Sequence, residues 1–86
     1  MSAAQAPSAP LCRPLADRLA LSHAAGVVAV HAEDVVALRS WSVDVGALAR
    51  KAAPLAGADA SGTPTEARVW TSDPTRALKA LAEAMA

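Results

Sequence analysis

Residues 26–41 read GVVAVHAEDVVALRSW, and this stretch decides the fold. Two Val-rich runs, 26–31 and 35–41, flank a polar link at Ala32, Glu33 and Asp34. β-Branched residues pack well on a pleated surface, and two such runs around a short link read as a β-hairpin. Side chains alternate across a strand, so the loop length sets which residues share a face. A three-residue loop pairs His31 with Val35. It puts Val28, Val30, Val36 and Leu38 on one face, and Val27, Ala29, His31, Val35, Ala37, Arg39 and Trp41 on the other. The first face is then wholly apolar, as a helix-covered face should be. A two-residue loop would mix the faces, so three residues are expected.

Upstream, Pro14 suits a first helical turn and Gly26 suits a stop, which predicts a helix over 14–25. Leu11, Leu15 and Leu19 recur one turn apart along it. Residues 1–10 hold two Pro, two Ser and four Ala with no charge. They read as a disordered tail ahead of one globular domain at 11–86. Downstream, Ser42 or Asp44 can cap a helix whose apolar stripe is Val45, Leu48, Ala49, Ala52 and Leu55 or Ala56. Pro54 kinks its last turn or ends it near Ala53. The run GADASGTPT (57–65) has the composition of a loop, and EARVWT (66–71) reads as a short strand. Asp73 and Pro74 then start a last helix, with Ala77, Leu78, Leu81 and Met85 inward.

Arg39, Trp41, Ser42 and Asp44 are echoed 29 residues later by Arg68, Trp70, Thr71 and Asp73. Each set is a strand ending in Trp, a hydroxyl residue, then a capping Asp. Taken as a β–α–β unit, strands 35–41 and 66–71 run parallel. The expected fold class is therefore α/β of mixed α+β character, in the order αββαβα. It is a small two-layer sandwich: a three-stranded mixed sheet with its helices on one face. The other face carries His31, Arg39, Trp41, Glu66, Arg68 and Trp70, with no helix assigned to cover it.

Composition bounds the function. Eighty-six residues make one small domain. Of the 53% that are apolar, most are alanine: 24 Ala against nine Leu, eight Val, two Met, two Trp and one Cys. Burying a Val or Leu stabilises by roughly 1.5–3 kcal/mol, a single methylene by roughly 0.8. The core is thus thin, and its layers are expected to approach closely on alanine. Eight basic and eight acidic residues balance to zero, which is not the electrostatic footprint of a nucleic-acid or polybasic membrane binder. The longest uncharged run, 19–32, has 14 residues, short of the roughly 20 a membrane span needs. The first ten residues carry no cation ahead of an apolar stretch, so they are not read as a signal peptide. With a lone cysteine, Cys12, cytoplasm is the expected location.

Three residue sets are candidates for function. Trp41, Trp70, Arg39, Arg68 and His31 share the uncovered sheet face, and Trp and Arg are the side chains enriched at binding hot spots. Ser42, Asp44, Thr71 and Asp73 would form a rim of two helix N-termini, a weaker ligand position. Cys12, His23 and His31 show no metal-ligand or nucleophile–base spacing, so no metal, cofactor or catalytic residue is assigned. The expected function is a small, non-catalytic module that binds another protein, or itself as a homo-oligomer, through the Trp/Arg face. The alternatives are a nucleic-acid-binding regulator, and a small ligand-binding protein or enzyme using the rim.

Overall fold

The computed structural model describes residues 1–22 and 26–86. The chain is a mixed α/β fold in which, among the described residues, five strands make one mixed sheet and three α-helices pack on it. In chain order these are β1 (Ser2–Gln5), α1 (Cys12–Ala20), β2 (Val28–Ala32), β3 (Val35–Arg39), α2 (Val45–Ala56), β4 (Asp59–Gly62), β5 (Glu66–Trp70) and α3 (Pro74–Met85). A single 3-10 turn at Ala9–Leu11 leads into α1. The strand order across the sheet is β1-β2-β3-β5-β4.

The hairpin forms as the valine runs predict, but its loop has two residues, Glu33 and Asp34, because Ala32 pairs with Val35. The two faces are therefore mixed. Val27, Ala29, Val36 and Leu38 face α2 and α3, together with Ala67 and Val69 of β5. Val28, Val30, Ala32, Val35 and Ala37 face α1. The three-residue loop was expected on the premise that only one face is covered. Here β2 and β3 are covered on both, so every position of the two strands except His31 and Arg39 is apolar and buried, the pattern of strands buried on two faces. The shift carries His31 across the sheet, to the face that holds Val27 and Ala29 and away from Arg39 and Trp41.

The helix on the second face follows from a strand that composition concealed. Residues 1–10, expected to be a disordered tail, contribute β1, which pairs parallel with β2 from Ser2 opposite Val28 to Gln5 opposite His31. The Ser2 and Ala6 amides donate to the carbonyls of Val27 (2.9 Å) and His31 (2.8 Å). Two parallel strands need a crossover between them, and α1 is that crossover. It packs on β2 and β3. It is shorter than the expected 14–25: it begins at Cys12 and ends at Ala20, while residues 23–25 lie outside the described residues. Its buried stripe is Cys12, Ala16 and Ala20, with Leu15 and Leu19 flanking and Leu11 exposed. Small side chains take the central line because they let the helix axis approach the sheet.

The expected parallel pairing of the second and third strands is also corrected. β3 and β5 are antiparallel, with Val35 opposite Trp70 and Arg39 opposite Glu66. The segment 57–65, read as a loop, contains β4, an edge strand antiparallel to β5. A second hairpin thus follows α2, and it reverses β5. Gly62 permits it, since it holds φ +148°, and a Cβ there would meet the backbone of Glu66 and Ala67.

The helix starts are as the sequence predicts. Asp44 Oδ1 accepts from the Ala47 amide at 3.0 Å, and Asp73 Oδ1 from the Arg76 amide at 3.1 Å. Helix α2 runs through Pro54 to Ala56 and ends in a Schellman motif. Gly57 sits at φ +63°, with Ala58 donating to the Ala53 carbonyl. Its buried stripe ends on Ala56, while Leu55 is exposed. On α3 the buried positions are Ala77, Ala80, Leu81 and Ala84, and Met85 is exposed.

Candidate binding face beside helix α1

The antiparallel pairing separates the residues that the sequence grouped. Trp41 follows the Arg39/Glu66 end of the sheet, whereas Trp70 lies at the Val35 end. The four residue steps of strand from Val35 to Arg39 span roughly 13 Å at about 3.3 Å per residue, and Trp41 lies beyond that end. The two indoles therefore form no single patch. The rim divides in the same way. Val45, next to the cap Asp44, donates to the Pro64 carbonyl, while Thr71 donates to the Asp34 carbonyl at the other end. The hydroxyls already have intramolecular roles: Ser42 Oγ accepts from the Gly26 amide, and Thr71 Oγ1 from the Asp73 amide.

Trp41 is tied down within the molecule. Its Nε1–H donates to the Ala20 carbonyl at the end of α1 (3.3 Å), and the Arg39 guanidinium lies 4.4 Å from the ring centroid. Arg39 belongs to a chain of ion pairs between α1 and the sheet. Its Nη1 lies 3.4 Å from Glu66 Oε2, which also meets Arg13 Nη2 at 3.2 Å. Its Nε lies 3.4 Å from Asp17 Oδ1, within ion-pair range but without hydrogen-bond geometry. Arg13 and Asp17 are one turn apart on α1, so the helix presents a cation and an anion to the sheet's complementary pair. Arg39 is only 17% exposed at the side chain, and this network matches its charge as α1 closes over it. Trp41 remains about half exposed but covers structure.

The Trp70 end is different. Helix α1 lies over β2 and β3, leaving the same face of β5 and β4 open alongside it. Glu66, Arg68 and Trp70 share that face, with Ser61 and Asp59 opposite the latter two on β4. Two recesses run along the opening. One, of about 230 Å³, is polar-lined by Arg13, Asp17, Ser61, Glu66 and Arg68. The other, of about 210 Å³, is lined by Ala9, Pro10, Cys12, Val35 and Trp70. Arg13, Ala37 and Arg68 border both, so the recesses make one groove with a charged and an apolar end. Trp70, which lines the apolar end, is 43% exposed. Among the described residues Arg68 makes no ion pair, and its guanidinium stands 5.9 Å from the Trp70 ring centroid.

Of the five residues proposed for an exposed Trp/Arg face, only Arg68 and Trp70 lie in this opening. Arg39 is engaged beneath α1, Trp41 is at the far end, and His31 is on the opposite face. Reading the strands alone missed Arg13, Ser61 and Pro10. They reach the groove only through α1, the turn before it, and β4.

Cys12 borders the apolar end but is buried, with its thiol toward the Ser8 carbonyl at 3.8 Å. Burial, with the charge of Asp34 second, pushes this thiol above its ordinary pKa, the opposite of what a nucleophilic thiolate needs. No group of three or more His, Cys, Asp or Glu side chains gathers at metal-binding distance among the described residues. His23 lies outside them. No described helix is long and apolar enough to cross a membrane. No protein-family model matches the chain, and no curated protein is similar to it.

Proposed function

We propose that this chain is a small, non-catalytic binding module that takes another protein through the open half of its sheet, around Arg68 and Trp70. One observation carries the reading: α1 covers the sheet only as far as β3. Beyond it, an exposed indole and an unpaired guanidinium stand over a recess of about 210 Å³. An aromatic anchor beside an arginine, at the edge of a pocket, is the composition of a binding hot spot. The nucleic-acid alternative gains nothing from this face. Arg13 and Arg39 are neutralised by Glu66 and Asp17, which leaves Arg68 as its one unpaired cation among the described residues. The helix-start rim gains nothing either, since its two halves lie at opposite ends of the sheet.

A photo-crosslinking amino acid at Ser61, on the rim of the groove, tests the reading against the same group at Lys79 on α3. A discrete adduct from Ser61 that is absent from Lys79 and lost with Trp70→Ala is expected. An adduct of twice the chain mass would make the partner a second copy. Equal labelling from both positions, or labelling that ignores Trp70, would sink the proposal.

A further inference from the structure

Resting on that reading, we infer that the groove selects an extended peptide segment carrying one carboxylate two positions away from a bulky apolar side chain. Charge complementarity supplies the first half. The chain Arg13–Glu66–Arg39–Asp17 pairs two cations with two anions, so its charges balance internally. Arg68 stands outside it. Arg68 borders both recesses, and the planar donor fork of a guanidinium matches a carboxylate. Arg13 borders both recesses as well. It shares its Glu66 oxygen with Arg39, which leaves its remaining donors available to the same carboxylate.

The apolar half comes from the adjoining recess. Ala9, Pro10, Val35 and the Trp70 ring form its walls. About 210 Å³ is room for one large side chain and little more. Spacing joins the halves. Arg68 and Trp70 are themselves two residues apart on β5, and an extended partner presents alternate residues to one face at the same repeat. The acid and the apolar residue of the partner therefore stand at i and i+2. Asp59 limits the acid to one. It lies opposite Trp70 on β4, makes no ion pair among the described residues, and repels a second carboxylate at the apolar end. The preferred segment is acid–x–apolar, not an acidic run.

The test is selection of a random linear peptide library on the full chain, followed by affinity measurements with the enriched peptides. Enrichment of Asp or Glu two positions from Leu, Phe, Met or Trp is expected. Affinity should fall about tenfold or more with Arg68→Gln, and again with Trp70→Ala. Selection repeated on Arg68→Glu should place Lys or Arg where the acid stood, a result that a misfolded variant cannot produce. Trp41→Phe, at the far end of the sheet, should leave affinity unchanged. Peptides that need Trp70 but carry no acid, carry an acidic run, or bind Arg68→Gln unchanged would overturn this inference and leave the binding face standing. Peptides indifferent to both Arg68 and Trp70, or no enrichment at all, would overturn both.

Discussion

Ser40 shows how much one buried side chain can hold. It is 1% exposed, and its Oγ donates to the Gly26 carbonyl at 2.7 Å while accepting from the Ser42 and Val43 amides. One hydroxyl thereby ties the end of β3 to the chain entering β2 and shapes the turn into α2. Ser40→Ala would leave those backbone groups without a partner, at a cost of about 1–3 kcal/mol, read from urea denaturation. A loss below the error of that measurement would show that water replaces the hydroxyl. Cys12 makes a second prediction, in pH. Its folded pKa is raised, so the fold holds the neutral thiol. The stability it contributes is complete below the ordinary thiol pKa of the unfolded chain and is lost as pH rises through that value toward the folded one. Iodoacetamide should alkylate Cys12 more slowly in the native protein at pH 8 than in the urea-unfolded chain. Equal rates would show the thiol to be accessible. Neither role was legible in the sequence, because the Gly26 carbonyl reaches Ser40 from 14 residues away, and burial and the charge of Asp34 reach Cys12, only once the chain is folded.

At the scale of elements, legibility divides by range. Asp44 and Asp73 were readable as caps because a cap bonds an amide three residues on. The hairpin loop was not, because its length depends on whether a helix lies over each face, and α1 lies outside the hairpin. On α1 the recurring Leu15 and Leu19 flank the buried line and do not form it, since periodicity gives a face but not the distance to what it packs on. That distance is set by Cys12, Ala16 and Ala20, each nearly inaccessible. Ala16→Leu should force α1 off the sheet and destabilise by about 1–3 kcal/mol, measured as a fall in the denaturation midpoint. Leu15→Ala, on the half-buried flank, should cost less. Equal losses would show that the leucines carry the contact after all.

Across the whole molecule, the sheet is covered on one side by α2 and α3 and only half covered on the other by α1. This asymmetry creates the groove. It also makes β1 matter more than its four residues suggest, since β1 shields the edge of β2 and anchors the start of the crossover. Removing residues 1–5 should lower the denaturation midpoint and expose the β2 edge to pairing with other chains, seen as concentration-dependent aggregation. An unchanged midpoint would mean that β1 is dispensable. The Trp/Arg face was half legible at this scale. Alternation correctly placed Arg68 and Trp70 on one face of one strand, but the direction of the neighbouring strand decided that Trp41 is not beside them.

The amino-acid order by itself determined the features that depend on near neighbours: the two valine strands, the two aspartate caps and the apolar stripe of α2. These follow from backbone sterics and from hydrogen bonds that span a few residues. Tertiary structure decided the rest. β1, built from Ser, Ala and Gln, has little strand preference of its own, and its parallel partner β2 supplies the backbone hydrogen bonds. The antiparallel direction of β5 depends on β4, whose composition is that of a loop. Strand pairing is a contact between segments distant in sequence, so its energy is written in no local pattern. The open groove is a consequence of that pairing, because α1 reaches only as far as β3.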